Sequence, residues 1–373
     1  MKIHVVASGD SLFGIGQRYG MDYRKIARDN EVGLDQELVV GQTIVVVEPA
    51  PSKIGVVEMN GYAYPNVTDE VLGKTMPGLT YLSVFSYEAR QGGEVVAPPQ
   101  QAEERVIRQA VAARVMPVMV LSNIGTSGNF EPELAKAILN NPAAIGRLLD
   151  NLVRIMHQRG YNGLDVDFEY VPPEDGGAYE NFLETAAKRF SSEGFSLSCA
   201  IPAKEGKDTT SKFAGAYDYS RIGAIVDLVT LMTYDWGHAG SAPMAVAPLP
   251  AVERVIRFAS TQMQSSKILM GIPNYGYDWP PKQPGKAIGI VQAVELARKR
   301  NQAISYDDTA KAPWFEYYVP GRHEVWFEDA RSVQAKLGMA HKYDLAGFSY
   351  WNINRFWPQS WLVMDSMYDV AKS

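Results

Sequence analysis

The sequence predicts an α/β protein: a (β/α)8 TIM barrel with a small α+β insertion between its seventh and eighth strands, preceded by a small βααβ domain. Three observations predict it. Strand-like runs, nearly continuous in apolar character, alternate with amphipathic segments along most of the chain, the pattern of parallel strands covered on both faces. One of those runs, "GLDVDFEY" at 163–170, carries an acid at every second position. A proline-rich step, "VEPAPSKIG" at 47–55, reads as a short stiff linker at Pro49, Ala50 and Pro51. It divides a domain at 1–49 from one at 50–373.

The first domain opens on the strand-like "IHVVAS". Asp10 or Ser11 can cap a helix whose apolar positions are Leu12, Ile15 and Tyr19, and Gly20 ends it. "YRKIARDN" gives a second helix and "LVVGQTIVVV" a second strand. In the larger domain the strand candidates are 54–64, 79–87, 114–123, 161–170, 195–203, 226–236, 267–277 and 345–352. Helical stripes lie between them, as in "PAAIGRLLDNLVRIMHQRG", where Ile145, Leu148, Leu149, Leu152, Ile155 and Met156 share a face. The gap before the last strand is too long for one helix. It holds "PPKQPG", a helix at "GIVQAVELARKR" and the strand-like "FEYYV" and "EVWFED", which place the insertion at about 280–330. A crossover helix follows at "ARSVQAKLGMAHKY".

Composition narrows the function classes. Of 373 residues, 46% are hydrophobic and 21% charged, enough for a large core. The net charge of −6 argues against a nucleic-acid partner, which would call for a basic stripe. A single cysteine, Cys199, rules out an intramolecular disulfide and a cysteine zinc cluster, and five histidines without HExxH spacing predict no metal site. Neither a secretory leader pattern nor a membrane-length apolar run is found, so no membrane partner is expected. Cys199 reads as a core thiol, His238 as a loop residue, and Arg298-Lys299-Arg300 as a solvated helix end.

The chemistry concentrates in the acidic strand. Alternate side chains share a face, so Asp165, Asp167 and Glu169 line up roughly 6–7 Å apart. Glu169 stands nearest the C-terminal mouth, where barrel active sites sit. Like charges raise one another's pKa, so at least one of the three stays protonated at neutral pH. A protonated carboxyl at a cleft mouth is what a general acid for glycosidic cleavage requires. The competing reading is a metal-binding or merely hydrogen-bonded acidic strand.

Two resemblances give these residues a context. "VVASGDSLFGIGQRYG", Ile26, Asn30 and "LVVGQTIVV" resemble a LysM module over residues 3 to 48, which implies binding of N-acetylglucosamine-containing glycans such as peptidoglycan and chitin. A small domain without a ligand is the alternative. "NGLDVDFE" resembles the DGxDxDxE signature of glycoside hydrolase family 18, the chitinase-like group, with Asn162 in place of the leading Asp at the strand's entry. "LMTYDWGH", "GIPNYGYDW" and "GFSYWNIN" extend the likeness over residues 54 to about 365. "PAKEGKDTTSKFAGAYDYSRIGAIVDLVTLMTYDW" and "APLPAVERVI" resemble the branch of spore-germination and cortex-degrading proteins.

The family 18 resemblance implies a retaining, substrate-assisted glycosidase that cuts β-1,4 linkages of an N-acetylglucosamine polymer, with spore cortex peptidoglycan foremost, and needs no cofactor. Glu169 then protonates the leaving oxygen, and the substrate's own acetamido oxygen is the nucleophile. Asp167 stabilises the resulting oxazolinium ion, Asp165 holds Asp167 by sharing a proton, and Tyr234 orients the acetamido group. Trp351 forms an apolar floor. Met232, Asp235, Tyr64 and Tyr275 are further candidate sugar contacts. For Tyr64 and Tyr275 the competing role is an aromatic packed at the barrel rim, and for Trp351 and Tyr234 a place in the core. The resemblance also implies a monomer associated with the spore or cell wall. Two other readings stay open: a chitinase, and a catalytically silent glycan-binding coat or wall protein.

Overall fold

A computed structural model describes residues 1–49, 52–208 and 210–372; Ala50 and Pro51 of the expected linker lie outside the described residues. The N-terminal domain runs β1 (Lys2–Val5), α1 (Leu12–Tyr19), α2 (Tyr23–Asn30), β2 (Thr43–Val46), with β1 and β2 antiparallel. Of the two expected caps, Ser11 takes the role for α1, accepting from Gly14 N at 3.1 Å. Asp10 instead accepts from Ala7 N and pairs with His4. Gly20 closes the helix at φ 65°, a left-handed turn that suits glycine. Asn30 ties α2 to β2 through both of its side-chain atoms, to Val45 N and Val45 O.

The larger domain begins with β3 (Gly55–Ala63), α3 (Asp69–Thr75), β4 (Tyr81–Ala89), β5 (Val95–Val96), α4 (Gln100–Ala112) and β6 (Met116–Ser122). It continues through α5 (Pro132–Leu139), α6 (Pro142–Arg159), β7 (Gly163–Asp167), α7 (Gly176–Ser191) and β8 (Ser196–Pro202). Then come α8 (Tyr219–Ile225), β9 (Leu228–Met232), α9 (Leu249–Gln262) and β10 (Ile268–Pro273). The strands β3, β4, β6, β7, β8, β9, β10 and β16 (Gly347–Trp351) hydrogen-bond in parallel, and the β3–β4 pairing closes the ring. All eight expected strands are therefore present. Their continuous apolar runs follow from closure, since one face meets the barrel interior and the other the helices. On α6, Leu148, Leu149, Leu152 and Met156 are buried while Ile145 and Ile155 are partly so.

The insertion is a second sheet. β11 (Tyr275–Trp279), β12 (Lys286–Gly289), α10 (Ile290–Lys299), β13 (Ser305–Asp307), β14 (Ala312–Tyr318) and β15 (Arg322–Trp326) form it, with strand order β12-β11-β15-β14-β13. It starts earlier than the sequence suggests. Tyr275 and Tyr277 belong to β11 and not to the seventh barrel strand, which stops at Pro273. Between the two strands Asn274 N donates to Trp351 O (3.0 Å), so the chain leaves the barrel at that residue. α11 (Ala330–Tyr343) returns to β16, and α12 (Pro358–Met367) and β17 (Tyr368–Val370) end the fold.

The two domains are in direct contact. β2 is buried along its whole length. Gln359 on α12 donates Nε2 to Asn30 Oδ1 (3.0 Å) and to Thr43 O (2.6 Å), and accepts from Thr43 Oγ1 (3.0 Å). Ile304 N donates to Val40 O, and the approach beside it is so close that a Cβ on Gly41 would stand 1.9 Å from Ile304 O. No helix among the described residues is long and apolar enough to cross a membrane.

Candidate active site

The C-terminal ends of the strands surround a cavity of about 320 Å³. Asp167, Glu169, Met232, Tyr234, Asp235 and Trp351 line it, together with Tyr62 and Phe213. The structure thus brings most of the sequence-predicted residues to one hollow. Asp165 lies one layer deeper, buried on β7.

Each acid has its own surroundings. The Asp165 carboxylate accepts from Tyr62 Oη at 2.7 Å and from Ser198 Oγ at 2.6 Å. Burial pushes its pKa up, and those two hydrogen bonds pull it back. The two carboxylates stand on alternate positions of β7; Ser198 reaches Asp165 from the adjacent β8, and Tyr62 reaches it from β3 across the barrel. Asp167 is buried, and its Oδ1 has no hydrogen-bond partner among the described residues. Its pKa is pushed well up by burial, then by the charges of Glu169 and Asp165.

Glu169 follows the end of β7. Its backbone is clamped by Asn123, which accepts from Glu169 N (2.8 Å) and donates to Glu169 O (2.9 Å). Burial, and after it the charge of Asp235, pushes the Glu169 carboxyl up to about 7. The next residue, Tyr170, takes a left-handed φ of 56°, which turns the chain away from the acid. Beneath it Tyr217 Oη donates to Phe168 O at 2.7 Å, fixing the strand's exit.

Tyr234 and Asp235 follow β9, with Asp235 also left-handed at φ 64°. The Tyr234 ring lies over Gly271 on β10, where a Cβ would come within 2.7 Å of Cε1. Trp351 meets Tyr62, Phe85 and Tyr64 edge to face at 5.4, 4.9 and 6.1 Å between ring centres.

Two candidates stand apart from the acid cavity. Tyr275 is buried on the inserted sheet and donates Oη to Asp235 Oδ1 at 2.7 Å, so it touches the site through Asp235. Tyr64 lies further out, 39% exposed, in an adjoining hollow of about 560 Å³ with Phe85, Phe130, Tyr170 and Trp351. The inward residue of that strand nearest the acids is Tyr62, two positions earlier, and the alternation of "NGYAY" carries the signal for it. Asn123 and Ser198 also escaped the sequence reading. Ser198 acts from β8 and Asn123 from just past the end of β6, where nothing in the local pattern marks a serine as a partner for the Asp165 carboxylate or an asparagine as a clamp on the Glu169 backbone. Among the described residues no cluster of His, Cys, Asp and Glu could hold a metal ion. Cys199 is buried, its thiol pushed well up by burial.

Comparison with known proteins identifies the families. The family model of glycosyl hydrolases family 18 matches residues 77–355, and that of the LysM domain residues 4–47. The cortical fragment-lytic enzyme of Bacillus subtilis (strain 168) is 37% identical over 433 aligned positions, spanning 100% of this chain and 99% of the relative. The Bacillus cereus enzyme of the same name is 38% identical, spanning 100% and 99%. The crystal structure of the Bacillus cereus spore cortex-lytic enzyme SleL superposes with a TM-score of 0.92 at 33% identity, covering 100% of this chain and 99% of that one. A chitinase from Chromobacterium violaceum, at 24% identity and TM-score 0.77, shares the barrel fold over 83% of this chain and 98% of its own. An acid-lined hollow at the mouth of a closed parallel barrel and matches along the whole chain lead to one conclusion: the chain belongs to glycosyl hydrolases family 18 and is a glycosidase that also carries an N-terminal LysM domain.

Proposed function

We propose that this glycosidase cleaves β-1,4 linkages of peptidoglycan, in the spore cortex, by a retaining mechanism in which the substrate's acetamido oxygen is the nucleophile. The carrying observation is the pair formed by Glu169, its carboxyl held at about 7, and Asp167, whose buried Oδ1 lacks a partner at the base of the cavity. Glu169 donates its proton to the leaving oxygen. Asp167 Oδ1 accepts the acetamido N–H and offsets the positive charge of the oxazolinium ion. Tyr234 donates its hydroxyl to the acetamido oxygen and sets its line of attack. Glu169, once ionised, takes a proton from the water that opens the ring.

Asp167, Glu169, Glu205 and Asp235 line the cavity, and none of the described residues lining it is Lys, Arg or His. Such a wall favours developing positive charge and opposes a carboxylate on the bound sugar. It therefore supports N-acetylglucosamine, which has no lactyl group, on the side of the bond that forms the oxazolinium ion. The relatives' names point to cortex as the polymer, and the LysM domain at residues 1–49, ahead of a catalytic domain at 50–373, holds the glycan.

Glu169→Gln tests the assignment. It is expected to lower turnover by about 10²–10⁴-fold while leaving polymer binding intact; unchanged turnover removes Glu169 from the role of acid. Mass spectrometry of fragments from spore cortex, vegetative peptidoglycan and chitin identifies polymer, bond and reducing-end sugar together. De-N-acetylated glycan should remain uncut, and cleavage at the rate of the acetylated polymer would exclude substrate assistance.

A further inference from the structure

Below the acids, the interior of this barrel departs from the usual packing. Barrel interiors are filled mostly by branched aliphatic side chains. Here the positions two residues before Tyr62, Asp167, Ala200, Met232 and Trp351, all of which line the mouth cavity, are Asn60, Asp165, Ser198, Thr230 and Ser349. All five are polar, and four are buried. Asn60 Nδ2 donates to Ser349 Oγ (3.0 Å), and Ser83 Oγ donates to Asn60 Oδ1 (2.9 Å). At the N-terminal end of the strands these residues meet a second cavity of about 260 Å³, whose walls include Glu58, Asn60, Ser83, Ser198 and Thr230. Glu58 Oε2 is buried there with no hydrogen-bond partner among the described residues. A polar space of this size accommodates several waters. Ser198 lines it and also donates Oγ–H to Asp165 Oδ1 at 2.6 Å.

We propose that Ser198 relays protons between water in this floor cavity and Asp165, so that the pair Asp165 and Asp167 exchanges protons from below while a glycan covers it from above. The proposal rests on the glycosidase mechanism given above. Positive charge forming over Asp167 favours an ionised pair, whereas burial favours a protonated one. The proton content of the pair thus changes during the cycle, with the mouth filled by substrate. In uptake, Ser198 passes its hydroxyl hydrogen to Asp165 Oδ1 and takes a proton from hydronium in the cavity, which becomes water. In release, both transfers run backwards. The serine ends each cycle neutral. The ionisable groups facing Asp165 are Asp167 on its own strand, Tyr62 on β3, Tyr179 on α7, Cys199 on β8 and Tyr234 beyond β9; Glu58, Tyr81 and Asp227 face the floor cavity.

The test measures kcat and KM on an aryl glycoside of N,N′-diacetylchitobiose, in H2O and D2O and across the pH range of activity. Ser198→Ala is expected to lower kcat about tenfold with KM unchanged, to enlarge the solvent isotope effect on kcat and to move the pH profile. Ser198→Thr keeps the hydroxyl and should restore all three. Thr230→Val dries the floor without touching the bonds of Asp165, and should reproduce part of the isotope effect. An unaltered isotope effect and pH profile in Ser198→Ala would overturn the relay. So would failure of Ser198→Thr to restore them in a protein that melts like the wild type. If Ser198→Ala does not fold, an unaltered isotope effect in Thr230→Val overturns it. Glu169→Gln separates the two levels. If it cuts the glycoside as the wild type does, or the wild type cuts nothing, the glycosidase mechanism fails and the relay with it. If it is inactive while Ser198→Ala matches the wild type, the relay alone fails.

Discussion

Glu169 is held in a state that favours chemistry over stability. A carboxyl with a raised pKa in the fold binds its proton more tightly there than in the unfolded chain. Its contribution to stability is complete below the ordinary carboxylate value and is lost as pH rises through about 7. The shifts of Asp165 and Asp167 run the same way, again led by burial. Glu169→Gln cannot ionise, so it should melt above the wild type at alkaline pH and close to it at acid pH. Thermal unfolding at the two extremes checks this; a wild type that gains stability on going alkaline would contradict the reading. Asp167→Asn keeps the shape but removes the charge-balancing oxygen, and kcat should fall about 10²–10³-fold in steady-state assays. These acids were legible in the sequence because alternation alone puts them on one face. Tyr62 and Ser198 are not legible as partners of Asp165, since neither the strand that flanks β7 in register nor the one that faces it across the closed barrel is written in β7 itself.

Among the elements, the strands carry the site and their ends define it. Gly271 on β10 shows how narrowly one strand can position a neighbour's side chain. A methyl there would stand 2.6 Å from Leu231 O and 2.7 Å from the Tyr234 ring, so either the strand or the tyrosine must shift. Gly271→Ala should therefore reduce kcat on the aryl glycoside by more than tenfold, about the scale of a misplaced catalytic group; retention of wild-type kcat would show that the tyrosine's position matters little. Strand existence was legible throughout the barrel from apolar runs. The split of 267–277 into β10 and β11 was not, because an apolar and aromatic run looks alike whether it continues one strand or passes into a second sheet. Tyr275, a candidate sugar contact with a rim-packed aromatic as the alternative, therefore stands on the inserted sheet and donates to Asp235.

At the scale of the whole molecule, the LysM domain is fixed to the barrel, not strung from it. Gln359 joins α12 to Asn30 and Thr43 by two hydrogen bonds it donates and one it accepts, and Lys74 pairs with Glu31 across the same seam at 2.6 Å. Gln359→Ala strips partners from buried polar groups, at about 1–3 kcal/mol for each left unsatisfied. The LysM domain should then melt in a separate, earlier calorimetric transition, with turnover of the small aryl glycoside preserved and turnover of insoluble polymer reduced; a single unchanged transition would mean that the seam is held elsewhere. The sequence by itself determined the LysM domain, the eight strands and the acidic trio, because period-two alternation, capping residues and apolar runs are local signals. Only the tertiary structure decided which hydroxyls meet Asp165, that Asn123 clamps Glu169, that polar side chains line the barrel floor and that the two domains share a buried seam. Each of those depends on closing the ring, and closure brings together residues far apart in the chain whose own neighbours carry no trace of the meeting.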